Sequence, residues 1–281
     1  MCYDMRAQEE DMNDAWARAV EHSITTRFRK TIWRNFVSAM KQYRLTQPGD
    51  VIAVCVSGGK DSLLLAKCMQ LLEQYSDIPF ETKFLCMDPG YSPENRQMIL
   101  ETAAKLGIEL TMFDTDILSI AEGTSSPCHV CAAMRRGYLY KEARKLGCNK
   151  IALGHHFDDV CETVLLSMFY GGEFKTMMPR LSSDNYEGMQ LIRPLYLVRE
   201  KYILLWQAAH QIPALTCACA VTRREEGGKR KEIKNLLKEL ATTNPRIMNN
   251  IFSSIQNINL DTVLSYRPSK GEEPCSVLDA E

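Results

Sequence analysis

The passage VIAVCVSGGKDSLLL at 51–65 constrains the fold more than any other. VIAVCV is an apolar, β-branched run with the length of a buried strand. From residue 63, LLLAKCMQLLEQY carries apolar residues through several helical turns. A strand therefore gives way to a helix through Ser57-Gly58-Gly59-Lys60-Asp61-Ser62. A lone Gly-Gly pair would read as an ordinary turn, but this string after a strand reads as a phosphate loop. Its glycines expose backbone N–H groups with little obstruction, and the following helix N-terminus favours an anion. Lys60 can neutralise phosphate charge, and Ser57 and Ser62 can donate hydrogen bonds to phosphate oxygens. Asp61 would repel a bare phosphate, so it suits magnesium or the positioning of a reacting group. The spacing is neither the Walker pattern nor the dinucleotide fingerprint.

The strand–helix alternation continues beyond the loop. Strands are expected at 82–87, 108–113 and 151–154, with helices over 94–106 and 128–146, and a turn at 155–159 leading into a helix that runs to about 168. This order implies an α/β fold with a mostly parallel sheet and crossover helices, though not the order of its strands. Residues 171–190 read as a long connection, and 190–198 as holding a last short strand. Helices follow at 199–210 and 228–240, and RIMNNIFSSIQNI has helical spacing. Residues 1–14 hold five acids and one base and suggest a lightly packed lead. Residues 15–44 place Trp16, Val20, Ile24, Phe28, Ile32, Phe36 and Met40 at near-helical intervals, with a basic face beside them. The resulting division is 1–47, an acidic lead and basic helical extension; 48–216, the nucleotide-handling core; and 217–281, a cysteine-containing helical extension.

The 34 basic and 35 acidic residues exclude a uniformly basic nucleic-acid coat but not a local one. No apolar stretch reaches the roughly 20 residues that span a bilayer, so no membrane partner is expected. The N-terminus lacks a basic start followed by an apolar run, and cytoplasmic, reduced thiols are the expectation. Of the 11 cysteines, Cys55, Cys68, Cys86, Cys148 and Cys161 read as core or structural residues. Cys128 and Cys131 form C-x-x-C, while Cys217 and Cys219 form C-x-C. Such thiols suit zinc, an iron–sulfur cluster or redox chemistry, and spacing alone does not choose. Pro127 suits the first position of a helix, whose N-terminus would favour the thiolate form of Cys128 and Cys131. Gly154, His155, Asp158 and Asp159 follow a strand, where open α/β sheets bind ligands. His155 can contact nucleotide, and the two aspartates can organise magnesium or cap the next helix. The basic stretches 18–44, 135–150 and 223–238 are either solvated helix faces or contacts for an RNA backbone, and Tyr138, Tyr140 and Tyr170 are candidates for base stacking.

Taken in order, VCVSGGKDSLLL, CHVCAAMRRGYLY, KIALGHHFDDVCETVLLSMFYGG, LIRPLYLVREK and PALTCAC make a specific set. The loop alone resembles the PP-loop of N-type ATP pyrophosphatases. The whole set resembles the bacterial tRNA 2-thiocytidine synthetase (TtcA) family over roughly residues 25–258. That resemblance implies a Rossmann-like PP-loop core and an ATP-dependent tRNA sulfurtransferase. It also implies ATP, Mg2+ and a 4Fe-4S cluster as cofactors. The cluster would be held by Cys128, Cys131 and a third cysteine, Cys217. The family segment there has two residues between its cysteines where this chain has one, which leaves Cys219 as the alternative. Gly154, His155, Asp158 and Asp159 would line the ATP pocket.

The implied substrate is the tRNA anticodon region, at cytidine 32, with sulfide or a persulfide-bearing donor as the sulfur source. A homodimer is among the assemblies open to such a chain. The cytidine 2-oxygen would attack the ATP α-phosphorus, and sulfur at the cluster's open iron would then displace AMP from C2. The rival readings are another PP-loop tRNA enzyme, such as a uridine thiolase or lysidine-type ligase, and a nonenzymatic metal-bearing RNA-binding protein.

Overall fold

A computed structural model describes residues 2–117, 127–215, 226–267, 273 and 275–276; side chains at 2–12, 127–133 and 226–227 lie outside the description. The chain divides into two compact units, Met1–Val160 with Met177–Lys231, and Cys161–Thr176 with Glu232–Glu281.

The first unit is built on a six-stranded sheet. Its strands are β1 (Val51–Cys55), β2 (Glu81–Asp88), β3 (Leu110–Asp114), β4 (Lys150–Ala152), β5 (Arg180–Ser182) and β6 (Gln190–Ile192). Their spatial order is β3-β2-β1-β4-β6-β5. All neighbours are parallel except β5, which runs antiparallel to β6. The chain leaves β1 toward β2 on one side and later returns to β4 on the other. The switch point of this parallel sheet therefore lies between β1 and β4, at their carboxyl ends.

Alternation along β1 feeds two cores. Ile52 and Val54 join Leu63, Leu64, Leu65 and Trp206 on one face. Ala53 joins Tyr140, Ala143 and Ile151 on the other. Burial on both faces is why these strands read as continuous apolar runs. Helix α3 (Lys60–Tyr75) follows the loop, and Leu63 through Met69 are buried without interruption, so it is enclosed on nearly every side. α4 (Pro93–Lys105) begins at Ser92, whose hydroxyl accepts from the Asn95 N–H at 3.3 Å. α5 (Pro127–Lys145) starts at the proline expected to open it. α6 (Phe157–Gly171) follows β4, and α7 (Glu200–His210) follows β6.

The N-terminal segment is helical from Cys2, not only from about residue 15: α1 spans Cys2–Thr25, a π-helical turn Arg29–Trp33 follows, and α2 spans Arg34–Gln42. The long connection after Gly171 contains β5, whose three residues are all exposed and so carried no burial pattern. α8 (Glu226–Thr243) begins in the first unit and enters the second at Glu232, where it leads to α9 (Ile247–Ser254). Beyond them Ser265–Tyr266 (β7) pairs with Cys275–Ser276 (β8), so the strand at 190–192 is not the last. Cys68, Cys86, Cys148 and Cys161 are buried, as their apolar surroundings suggest. Burial pushes the Cys86 thiol up to about 12 and that of Cys148 to about 11, which keeps both protonated and inert. Among the described residues, no helix is long and apolar enough to cross a membrane.

Candidate active site

The loop leaves β1 at the switch point and turns at Gly58, whose φ of +76° lies in the left-handed region. A Cβ there would also come within 2.6 Å of Ile99 Cγ1 and 3.3 Å of Leu215 Cδ1. Gly58 is thus fixed twice, by conformation and by space. Its carbonyl accepts from the Leu215 N–H at 2.9 Å. The chain is tied to the loop two residues before Cys217.

Gly59 is the N-cap of α3 and supplies no side-chain cap. The N–H groups of that first turn face the place an anion would occupy. Ser62 is buried and internally engaged: its hydroxyl donates to the Gly59 carbonyl at 2.8 Å and accepts from the Ser57 N–H at 3.1 Å. Here Ser62 braces the loop rather than facing outward. Gly154 closes the neighbouring wall. A Cβ on it would lie 3.1 Å from the Asp61 carbonyl carbon and 3.2 Å from the Ser62 nitrogen, tighter than ordinary contact.

Lys60 Nζ lies 3.0 Å from Asp61 Oδ2 and 3.2 Å from Glu200 Oε1. Burial works against its charge, but the two carboxylates outweigh it and hold its pKa above the ordinary lysine value. Glu200 was not singled out by the sequence; it is placed here by the N-terminus of α7. The other oxygen of Asp61, Oδ1, is buried and accepts no hydrogen bond. Its nearest cationic candidate is His156 Nε2 at 3.8 Å. The Asp159 N–H donates to His156 Nδ1 at 3.3 Å, which leaves Nε2 as the ring nitrogen nearer Asp61.

The segment after β4 places its two histidines differently. His156, not His155, lies beside Asp61. His155 Nδ1 instead accepts from Arg193 Nε at 3.3 Å, and burial followed by the Arg193 charge lowers its pKa to about 4. Arg193 also donates to the Met178 carbonyl. Asp159 caps its own helix: Oδ2 accepts from the His156 N–H at 2.9 Å in a reciprocal box with His156. Its other oxygen meets Arg230 Nη2 at 2.6 Å. Burial alone would raise the Asp159 pKa; His156 and Arg230 overcome it and bring it below the usual carboxylate range. Asp158 accepts from the Glu200 N–H at 2.7 Å and from Arg199 Nε at 3.3 Å. It caps α7 from across the fold and so holds Glu200 against Lys60.

Cys128 and Cys131 lie on the first turn of α5, with side chains outside the described residues; Cys217 and Cys219 lie outside them altogether. Among the described residues, no group of three or more His, Cys, Asp or Glu could hold a metal ion. The donor chemistry nevertheless fits each group the family implies. Thiolates at the start of a helix suit an iron–sulfur cluster. An unpaired Asp61 oxygen beside a phosphate loop suits magnesium, which is usually held by one or two carboxylates and the substrate's phosphates.

Residues 28–215 match the PP-loop domain family. The tRNA-cytidine(32) 2-sulfurtransferase of Alkalilimnicola ehrlichii is 35% identical, over 86% of this chain and 81% of that protein. This chain belongs to the tRNA 2-thiocytidine synthetase family. The tRNA-cytidine(32) 2-sulfurtransferase of Geotalea uraniireducens is 34% identical over 88% of this chain and 98% of its own. The fold is also that of the U34-tRNA thiolase NcsA from Methanococcus maripaludis, solved with its 4Fe-4S cluster. That likeness has a TM-score of 0.58 and 19% identity, over 89% of this chain and 83% of the other. Membership in the 2-thiocytidine synthetase family makes this chain a tRNA sulfurtransferase with a PP-loop ATP pyrophosphatase domain.

Proposed function

We propose that the protein catalyses ATP-dependent 2-thiolation of a tRNA cytidine, at position 32 of the anticodon loop. The observation that carries this reading is the backbone bond from Leu215 to Gly58, which ties the segment entering Cys217 to the nucleotide loop. Residues 48–216 act as the ATP-handling core, with 1–47 and 217–281 as extensions.

The N–H groups of the first α3 turn and the Lys60 ammonium hold the ATP phosphates, with Gly58 and Gly59 permitting close approach. Ser57 adds a hydroxyl at the rim, while Ser62 keeps the loop in shape. Asp61 directs its free oxygen toward Mg2+, and His156 fixes that carboxylate's orientation. Gly154, His155, Asp158 and Asp159 shape the adjoining wall; His155, neutral at physiological pH, leaves the nearby cationic charge to Arg193.

The base's 2-oxygen attacks the α-phosphorus, forming a P–O bond as pyrophosphate departs. Sulfide then forms a C2–S bond, and the C2–O bond breaks with its electron pair leaving on AMP. No net electron transfer is needed. A 4Fe-4S cluster on Cys128, Cys131 and Cys217, when bound, supplies an iron position for the incoming sulfur. A persulfide-bearing protein can serve as donor when a thiol reductant supplies two electrons, becoming a disulfide as the outer sulfur leaves as sulfide.

The test incubates anaerobically reconstituted protein with ATP, magnesium, sulfide and unmodified tRNA, followed by mass spectrometry of digested nucleosides. A 2-thiocytidine product that disappears without ATP or with Cys128→Ala is expected. A thiouridine product would move the substrate, and no thiolated base from cluster-loaded protein would overturn the reading.

A further inference from the structure

We infer that the groove around the π-helical turn grips the phosphate backbone of the tRNA, at a surface distinct from the PP-loop. This inference rests on the proposed tRNA substrate and adds where that substrate is held.

Phe28, Ile32 and Phe36 are buried in the main core and fix the turn and the start of α2. Their burial dictates which way the intervening cations point. Arg27, Arg29, Lys30, Arg34, Lys41 and Arg44 are all exposed. No acid occurs between Glu21 and Asp50. Among the described residues, none of these six cations forms an ion pair with a carboxylate. Arg29, Lys30, Arg34 and Lys41 line a groove of about 480 Å3 with Trp33 on its wall. An ordinary solvated helix face interleaves acids with bases. This one concentrates a single sign of charge in a concave surface, which suits a polyanion.

The other two basic stretches differ in detail. Arg230 is engaged by Asp159 and Lys145 by Glu142. Short-range partners already neutralise part of their charge.

The groove is also coupled to the site through a rigid element. α7 begins at Glu200, beside Lys60, and ends at His210. The His210 carbonyl accepts from Trp16 Nε1 at 3.3 Å, and its ring lies 2.8 Å from Ser23 Oγ. Ile203 and Trp206 share the core of Ile32 and Phe36. Eleven residues of helix, roughly 16 Å at 1.5 Å per residue, separate the two ends. A folded RNA has phosphates across such a distance, so one part can be gripped while a loop base reaches the PP-loop. Backbone contacts of this kind position the substrate without reading its sequence.

The experiment measures binding of an unmodified tRNA transcript to the full chain by fluorescence anisotropy over a salt series. Arg29→Ala/Lys30→Ala/Arg34→Ala should weaken binding about tenfold or more at near-physiological salt. It should lower the slope of log K against log salt by about 2 to 3, at roughly 0.7–0.9 per lost phosphate contact. The KM for ATP and the melting midpoint should stay at wild-type values. If the triple variant melts early, Arg34→Gln/Lys41→Gln on α2 carries the same expectation with a slope change of about 1 to 2. Wild-type affinity and salt slope in a folded variant would overturn the groove while leaving the thiolation reading intact. A wild-type chain that binds no tRNA would overturn both.

Discussion

Two lysine–aspartate pairs stand at opposite ends of the same sheet. At the amino end, Lys150 Nζ meets Asp50 Oδ2 at 2.6 Å, and the side chains are 4% and 5% exposed. Both groups also have further partners within the protein. Lys150 also donates to the Leu45 carbonyl at 3.0 Å, and Asp50 accepts from Asn149 Nδ2 at 2.8 Å and from the Gln47 N–H at 2.6 Å. At the carboxyl end, Lys60 and Asp61 are 3.0 Å apart and 20% and 30% exposed. A second carboxylate, Glu200, shares the lysine, and one Asp61 oxygen has no donor. The closed pair is a fastener. The open pair has more negative charge than its lysine can satisfy and a buried oxygen without a partner, an arrangement suited to exchanging protein contacts for ligand.

The contrast can be broken from either side. Asp61→Asn should cut the thiolation rate by about 10²–10³, the scale of removing one electrostatic contact from a reacting site, while leaving the melting midpoint nearly unchanged. Single-turnover assays beside calorimetry would show it, and a variant that unfolds early would erase the distinction. Asp50→Ala should do the reverse. It strands a buried ammonium at a cost of about 3–5 kcal/mol, visible in chemical denaturation, with activity per folded molecule preserved.

Acid sharpens the comparison further. His155 has its folded pKa lowered from 6.5 to about 4, so between those values the unfolded chain binds the proton that the folded chain refuses. Stability should therefore fall as pH drops from about 6.5 toward 4, by about 3 kcal/mol in all. His155→Gln should flatten that part of the stability–pH curve; an unchanged slope would remove His155 as its source. The smallest effect should come from Glu200→Gln. Freeing Lys60 from a competing carboxylate should lower the KM for ATP a few-fold, and a raised KM would mean that Glu200 instead assists nucleotide binding.

Much of this was legible in the sequence because it was local. VIAVCV becomes β1, the Ser-Gly-Gly turn becomes the loop, and Pro127 opens α5, each within a few residues of its signal. What escaped depends on distant partners. Glu200 reaches Lys60 only because Asp158, 42 residues earlier, caps α7. Nothing near Glu200 marks that contact. His155 and His156 are adjacent in sequence, and only the exit direction of β4 decides which one meets Asp61. The reciprocal hydrogen bonds of His156 and Asp159 were hinted at by their three-residue spacing, though histidine is an unusual member of such a box. β5 was missed because none of its three residues is buried.

The bond between Gly58 and Leu215 also has a genetic consequence. Replacing Gly58 with any larger residue would disturb the left-handed turn of the loop and press against Ile99 and against Leu215, the residue that leads toward Cys217. A screen that scores only the finished nucleoside would assign that single lesion equally well to energy supply or to sulfur supply. Under the proposed function the two faculties share one residue, and selection on either one preserves the other.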